Sequence, residues 1–156
     1  PARLPGDCPA LVLQASSGYW TKTAWETKNV AKTGIAGVLR SWRADETVTH
    51  LARWSPAFAG PPAGGLAVVP LEDPFRLAVG DKLRVRVSVD GRPRAGVPVA
   101  YDGATRGASG DDGVVVLRLR RGGLQMISAS LETPLADGRA DLRIETATLN
   151  FELPAR

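Results

Sequence analysis

The chain has 156 residues, 44% of them hydrophobic, with 17 Gly, 12 Pro and a net charge of +4. The apolar share supports a folded core and excludes wholesale disorder, while the Gly and Pro content suits strands joined by turns better than helices. The basic residues are scattered among the acids and alternate with apolar ones at 84–87 and 117–120, so they read as solvent faces of strands and not as a nucleic-acid stripe.

In chain order, residues 10–15 read as a short strand, followed by Gly18, Tyr19 and Trp20 and a polar stretch that includes Trp25. Residues 35–42, ending at Trp42, read as a second strand. Asp45 is placed to cap a short helix near 46–54, because Val48, Leu51, Ala52 and Trp54 fall roughly on one helical face. Residues 55–65 are too rich in Pro and Gly to hold a helix or a ladder and read as a loop.

From residue 66 the periodicity changes. Residues 66–71 form a strand that runs into Glu72-Asp73-Pro74, a turn. Residues 83–89 alternate strictly, the pattern of a half-buried strand, and Asp90-Gly91 supplies hairpin chemistry after it. Residues 97–101 return, with Pro98 implying an edge strand or a bulge. Asp111-Asp112-Gly113 and Gly122-Gly123 are turns that introduce strands at 114–119 and 124–131, and residues 147–153 alternate again. Short strands at such spacing mark an antiparallel sandwich, with Val85, Val87, Val89, Leu117, Leu149 and Phe151 inward. The fold expected is mostly β. Residues 1–72 make a partial N-terminal β-rich domain with one short helix, and 73–156 make an immunoglobulin-like or prealbumin-like antiparallel β-sandwich. So few N-terminal strands need a partner, and the C-terminal sandwich is the expected one.

Little in the chain suggests catalysis. One His, His50, and one Cys, Cys8, cannot assemble a zinc or nickel cage of the usual kind, and no intrachain disulfide can form. His50 is the only candidate metal ligand of that class. Asp111-Asp112-Gly113 lacks the spacing of a helix-loop-helix calcium site and reads as a hairpin turn. No nucleophile elbow surrounds any Ser, and no Gly-rich motif precedes a helix where it could cradle phosphate. The chain is therefore expected to be no enzyme and to need no cofactor. No apolar run approaches the roughly 20 residues of a membrane span. Position 1 is Pro, which points to removal of a preceding segment. The aromatic group Tyr19, Trp20, Trp25, Trp42 and Trp54 admits two readings. It packs between the N-terminal part and the sandwich, or it lines a surface that binds a protein partner.

Several elements recur in a fixed order: Leu4-Pro5-Gly6, Gly18-Tyr19-Trp20-Thr21-Lys22-Thr23, 66–75, Val79-Gly80-Asp81-Lys82-Leu83, Asp90-Gly91-Arg92-Pro93 with Gly96-Val97-Pro98-Val99, Asp111-Asp112-Gly113-Val114 and Ala147-Thr148-Leu149-Asn150-Phe151. In these the chain resembles a bacterial family of secreted proteins described as periplasmic accessory components of cobalt and nickel ABC-type uptake systems. The domain those proteins share carries only an unknown-function label. The part from Asp81 also looks like the prealbumin-like regulatory domains found beside carboxypeptidases, which implies a fold and no chemistry. The resemblance implies a periplasmic location, a role beside nickel or cobalt transport, and a membrane transporter component or another periplasmic protein as partner, with self-association a further expectation. Members of that family open with a His-containing segment and further strands that are absent here. A metal ligand supplied from that region would be missing, so weak nickel or cobalt binding, or none, is expected. The alternative is a structural or adhesive sandwich module that binds a protein through its Trp-rich half.

Overall fold

A computed structural model describes residues 7–154; the Leu4-Pro5-Gly6 element lies outside them. In chain order the strands are β1 (Ala10–Thr23), β2 (Thr27–Lys28), β3 (Val38–Leu51), β4 (Leu66–Pro70), β5 (Lys82–Val89), β6 (Arg92–Pro93), β7 (Pro98–Tyr101), β8 (Ala104–Ala108), β9 (Val114–Arg118), β10 (Gly123–Pro134) and β11 (Leu142–Leu153). They form two sheets in an open sandwich. The larger has seven strands in the order β2-β1-β3-β11-β10-β7-β8; the smaller has four, with β4 on one side of β5 and β6 and β9 on the other. Both sheets draw strands from either side of residue 72, since β3 pairs with β11 and β4 pairs with β5.

The helix expected near 46–54 is absent. Those residues belong largely to β3, which continues to Leu51, and Trp54 follows in a loop. The β-branched run Thr47-Val48-Thr49 favours an extended backbone. The burial pattern has period two: Thr47, Thr49 and Leu51 are buried while Glu46 and His50 are exposed. Four apolar positions matched a helical face as well, but tertiary pairing on both sides of β3 decided the outcome. The only helical turns among the described residues are 3-10 turns at Pro56–Ala59 and Pro74–Arg76.

The core lies between the sheets. Val85, Val87, Leu117, Leu149 and Phe151 are each at most 2% exposed, and Val89 packs half-buried against them. Each such side chain contributes about 1.5–3 kcal/mol of burial. The Asp90-Gly91 turn has φ of 51° and 78° at its two residues, the left-handed pair that a tight hairpin needs, and Asp102-Gly103 repeats it between β7 and β8. Pro98 opens β7, and a bulge falls between Val99 and Ala100, where β7 meets β8. One pairing departs from the antiparallel plan: β3 and β11 run parallel, aligning Trp42 with Leu142 and Leu51 with Phe151. This joint attaches the N-terminal hairpin to the C-terminal sandwich.

Candidate functional site

The aromatic residues picked out in the sequence are divided by the fold. Trp20 on β1 and Trp42 on β3 are cross-strand partners, and their rings stack with centroids 6.5 Å apart and planes 10° from parallel. The Trp20 indole N–H donates to Ser17 Oγ at 3.0 Å, and the Arg40 guanidinium lies 5.6 Å from the Trp42 ring centroid. Both indoles are half-buried and sit on the face of the seven-stranded sheet that points away from the core. Tyr19 projects to the opposite face, as successive strand residues must. There its hydroxyl donates to Asp137 at 2.6 Å and Arg139 covers its ring at 4.2 Å. Trp54 follows β3 and packs edge-on against Phe58, both resting on the core, so the packing reading holds for it. Trp25 stands alone in a turn at 93% exposure.

A bulge brings Trp20 onto the outer face. Residues 11, 13 and 15 of β1 point outward with 50, 48 and 46 of β3. Strict alternation would then send Trp20 inward. The register shifts between Ser16 and Gly18, where Gly18 has φ of +80°, and Trp20 comes out beside Trp42. The face therefore carries the indole pair at one end. Leu11, Leu13, Leu124 and Met126, each 38–57% exposed, lie towards the other end.

His50 lies on this same face, exposed, between Leu11 and Asn150 in register. Among the described residues no three His, Cys, Asp or Glu side chains are placed to share a metal ion. Cys8 is half-buried, with Sγ 2.9 Å from the carbonyl of Ala10.

The sequence reading missed a polar cleft of about 380 Å³ between the start of β4 and the middle of β1 and β3, beside the first residues of β11. Parallel pairing sets Arg43 beside Arg143 and Asp45 beside Glu145. Arg143 Nε donates to Asp45 at 2.8 Å and its Nη2 lies 3.3 Å from Glu145, while Arg43 Nε reaches the other Asp45 oxygen at 3.3 Å. Glu145, only 4% exposed, also accepts from the Leu66 backbone N–H at 3.2 Å. Burial pushes the Asp45 carboxyl up, but the Ser16 hydroxyl, the Arg143 hydrogen bond and the charges of Arg43 and Arg143 outweigh it and hold the group below its ordinary range. Arg143 already supplies the counter-charge, so the cluster ties β3 to β11 and to the start of β4. The alternations Arg43-Ala44-Asp45 and Arg143-Ile144-Glu145 were visible in the sequence, but their partnership depends on a parallel pairing that no local pattern shows.

The family profile described as "Domain of unknown function (DUF4198)" matches residues 9–133. The chain belongs to that family. No curated protein matches it, and no solved structure does. The DUF4198 match spans β1 to the end region of β10, so it takes in the indole pair, the bulge at Gly18 and the Asp45 side of the cleft. Among the described residues of this DUF4198 chain, no helix is long and apolar enough to cross a membrane.

Proposed function

We propose that the chain is a non-catalytic sandwich module that binds a protein partner through the outer face of its seven-stranded sheet, with Trp20 and Trp42 as anchors. The stacked indole pair supports this reading most directly. Two large aromatic side chains are held rigidly on an outward face, where they can bury against a partner at little cost in conformational freedom. Lys22 and the Arg40–Glu132 ion pair lie beside them, the polar rim that such an anchor needs. In the setting that the family resemblance implies, the partner is a periplasmic or membrane component of a nickel or cobalt uptake system.

Photo-crosslinking side chains placed at position 22 beside the indoles, and separately at position 84 on the smaller sheet, test this in the producing cells. The protein captured from position 22 is then identified, purified and titrated. Binding should weaken about thirtyfold or more in Trp42→Ala, the loss of an anchor worth about 2 kcal/mol, and should be unchanged in Arg84→Ala. Equal binding by both variants would overturn the proposal.

A further inference from the structure

We infer that the outer face of the four-stranded sheet docks on the anionic phospholipid headgroups of a bilayer through Lys82, Arg86 and Arg118. Strand alternation builds this face. Leu83, Val85 and Val87 of β5 are buried in the core, so Lys82, Arg84 and Arg86 point away from it. Register with β9 extends the row: Arg118 stands directly opposite Lys82, and Val116 opposite Arg84. Four cations therefore share one surface.

Only one of the four is neutralised. Arg84 pairs with Glu72 at 3.0 Å. Among the described residues, Lys82, Arg86 and Arg118 form no ion pair. The Arg86 Nε is buried without a hydrogen-bond partner, and Arg118 Nη1 donates to the carbonyl of Gly80 at 2.6 Å. The neighbouring carboxylates are turned to the backbone: Asp81 accepts from the Ala78 N–H at 2.8 Å and Asp112 from the Val114 N–H at 3.0 Å. Asp111 is exposed in the turn before β9, at the far end from Lys82 and Arg118. Like charges directly opposite on adjacent strands destabilise a sheet. The Lys82–Arg118 pair thus costs the free chain stability that an anion beside both would restore.

The arrangement favours a bilayer over other anions. The cations are spread over two strands along about 13 Å and do not converge on one point, which suits many headgroups better than one small anion. β5 and β9 carry no aromatic side chain on which the bases of a nucleic acid could stack. Val116, at 52% exposure, shares the face, and Val79, at 49%, precedes the glycine that holds Arg118. Apolar side chains among cations bury at the boundary between headgroups and acyl chains. Each basic side chain held near an anionic bilayer strengthens binding about fivefold, so three give about a hundredfold. The face belongs to the smaller sheet and the Trp20–Trp42 contact to the larger, so either stands without the other.

Co-sedimentation of the full chain with vesicles tests it, using phosphatidylcholine alone or with about one-third phosphatidylglycerol. Partition onto the anionic vesicles should be about a hundredfold stronger and should fall at least tenfold between about 0.05 and 0.5 M salt. The double variant Lys82→Gln with Arg86→Gln should lose about twentyfold. Lys28→Gln with Arg53→Gln, which removes the same charge from exposed positions outside the smaller sheet, should stay within about twofold of the parent. Amine acylation of the unsubstituted chain gives a second readout that needs no variant: anionic vesicles should protect Lys82 and leave Lys28 as reactive as before. Equal partition onto both vesicles, equal losses in the two double variants, or unprotected Lys82 on bound chain would overturn the inference. Tighter binding to poly-glutamate than to the vesicles at matched charge would overturn it in favour of an acidic protein.

Discussion

Gly113→Ala should be among the most damaging single-methyl changes in this chain. Gly113 closes the turn before β9 with φ of +76°, and a Cβ there would lie 2.5 Å from the carbonyl oxygen of Val87 and 3.2 Å from the backbone nitrogen of Arg94. The same residue accepts the Val87 N–H at 2.8 Å, so moving away from the clash breaks a hydrogen bond on the central strand β5. The left-handed backbone costs a side chain about 1–2 kcal/mol. Forcing a methyl into backbone that cannot rotate aside adds about 1–3 kcal/mol. The sum is about 2–5 kcal/mol. Gly91→Ala is the matched control, because Gly91 has φ of +78° but nothing within 4 Å of an added Cβ. Urea denaturation of the two variants and the parent separates the contributions, with Gly91→Ala losing only the backbone part. Equal losses in the two variants would refute the close approach between Gly113 and Val87.

Tyr101→Phe should cost about 1–3 kcal/mol by chemical denaturation, because the buried hydroxyl donates to Gln125 and accepts from the Arg120 N–H at 3.1 Å, and both partners would be left unsatisfied. Asp45, Asp137 and Asp141 are all held below their ordinary value of 3.8. A depressed carboxyl stabilises the fold above its unfolded value and loses that contribution as pH falls through the folded one, so the urea midpoint should drop as pH falls below about 4. Asp45→Asn should flatten that pH dependence, as midpoints measured across the acid range will show. Residues 1–60 alone should remain unfolded by amide shift dispersion, since β3 would lose its parallel partner β11 and the buried neighbours Phe151 and Leu149.

The local part of the fold was readable in the sequence wherever one face of a strand is buried. Strict alternation in β5 and at the end of β11 placed Val85, Val87, Leu149 and Phe151 inward, where they are. Turn chemistry located Asp90-Gly91 and Asp111-Asp112-Gly113. What failed was β3. Its apolar residues fit both a period of two and a period near 3.6, and only pairing with β1 and β11 distinguishes them. The strand lengths were underestimated for the same reason. Residues 16–23 are polar or aromatic and gain their order from β3, not from their own pattern.

The candidate site was half readable. Tryptophan count drew attention to this group, and the structure separates Trp54, which joins the core, from Trp20 and Trp42, which share the outer face. That separation depends on the bulge before Gly18, which changes which face each later residue occupies. Gly18 was visible in the sequence, but a Gly in a strand does not announce the direction of a register shift. The Asp45–Arg143–Glu145 cleft was invisible because its two halves lie about 100 positions apart and meet through a parallel pairing.

Hydroxyl-radical footprinting of the tryptophans, in the isolated chain and in its complex with the crosslinked partner, tests the role of the outer face most directly. Trp25, at 93% exposure in the turn after β1, is the internal reference. The proposed contact requires Trp20 and Trp42 to become protected in the complex while Trp25 stays as reactive as before. Unchanged reactivity at Trp20 and Trp42 in a saturated complex would contradict it.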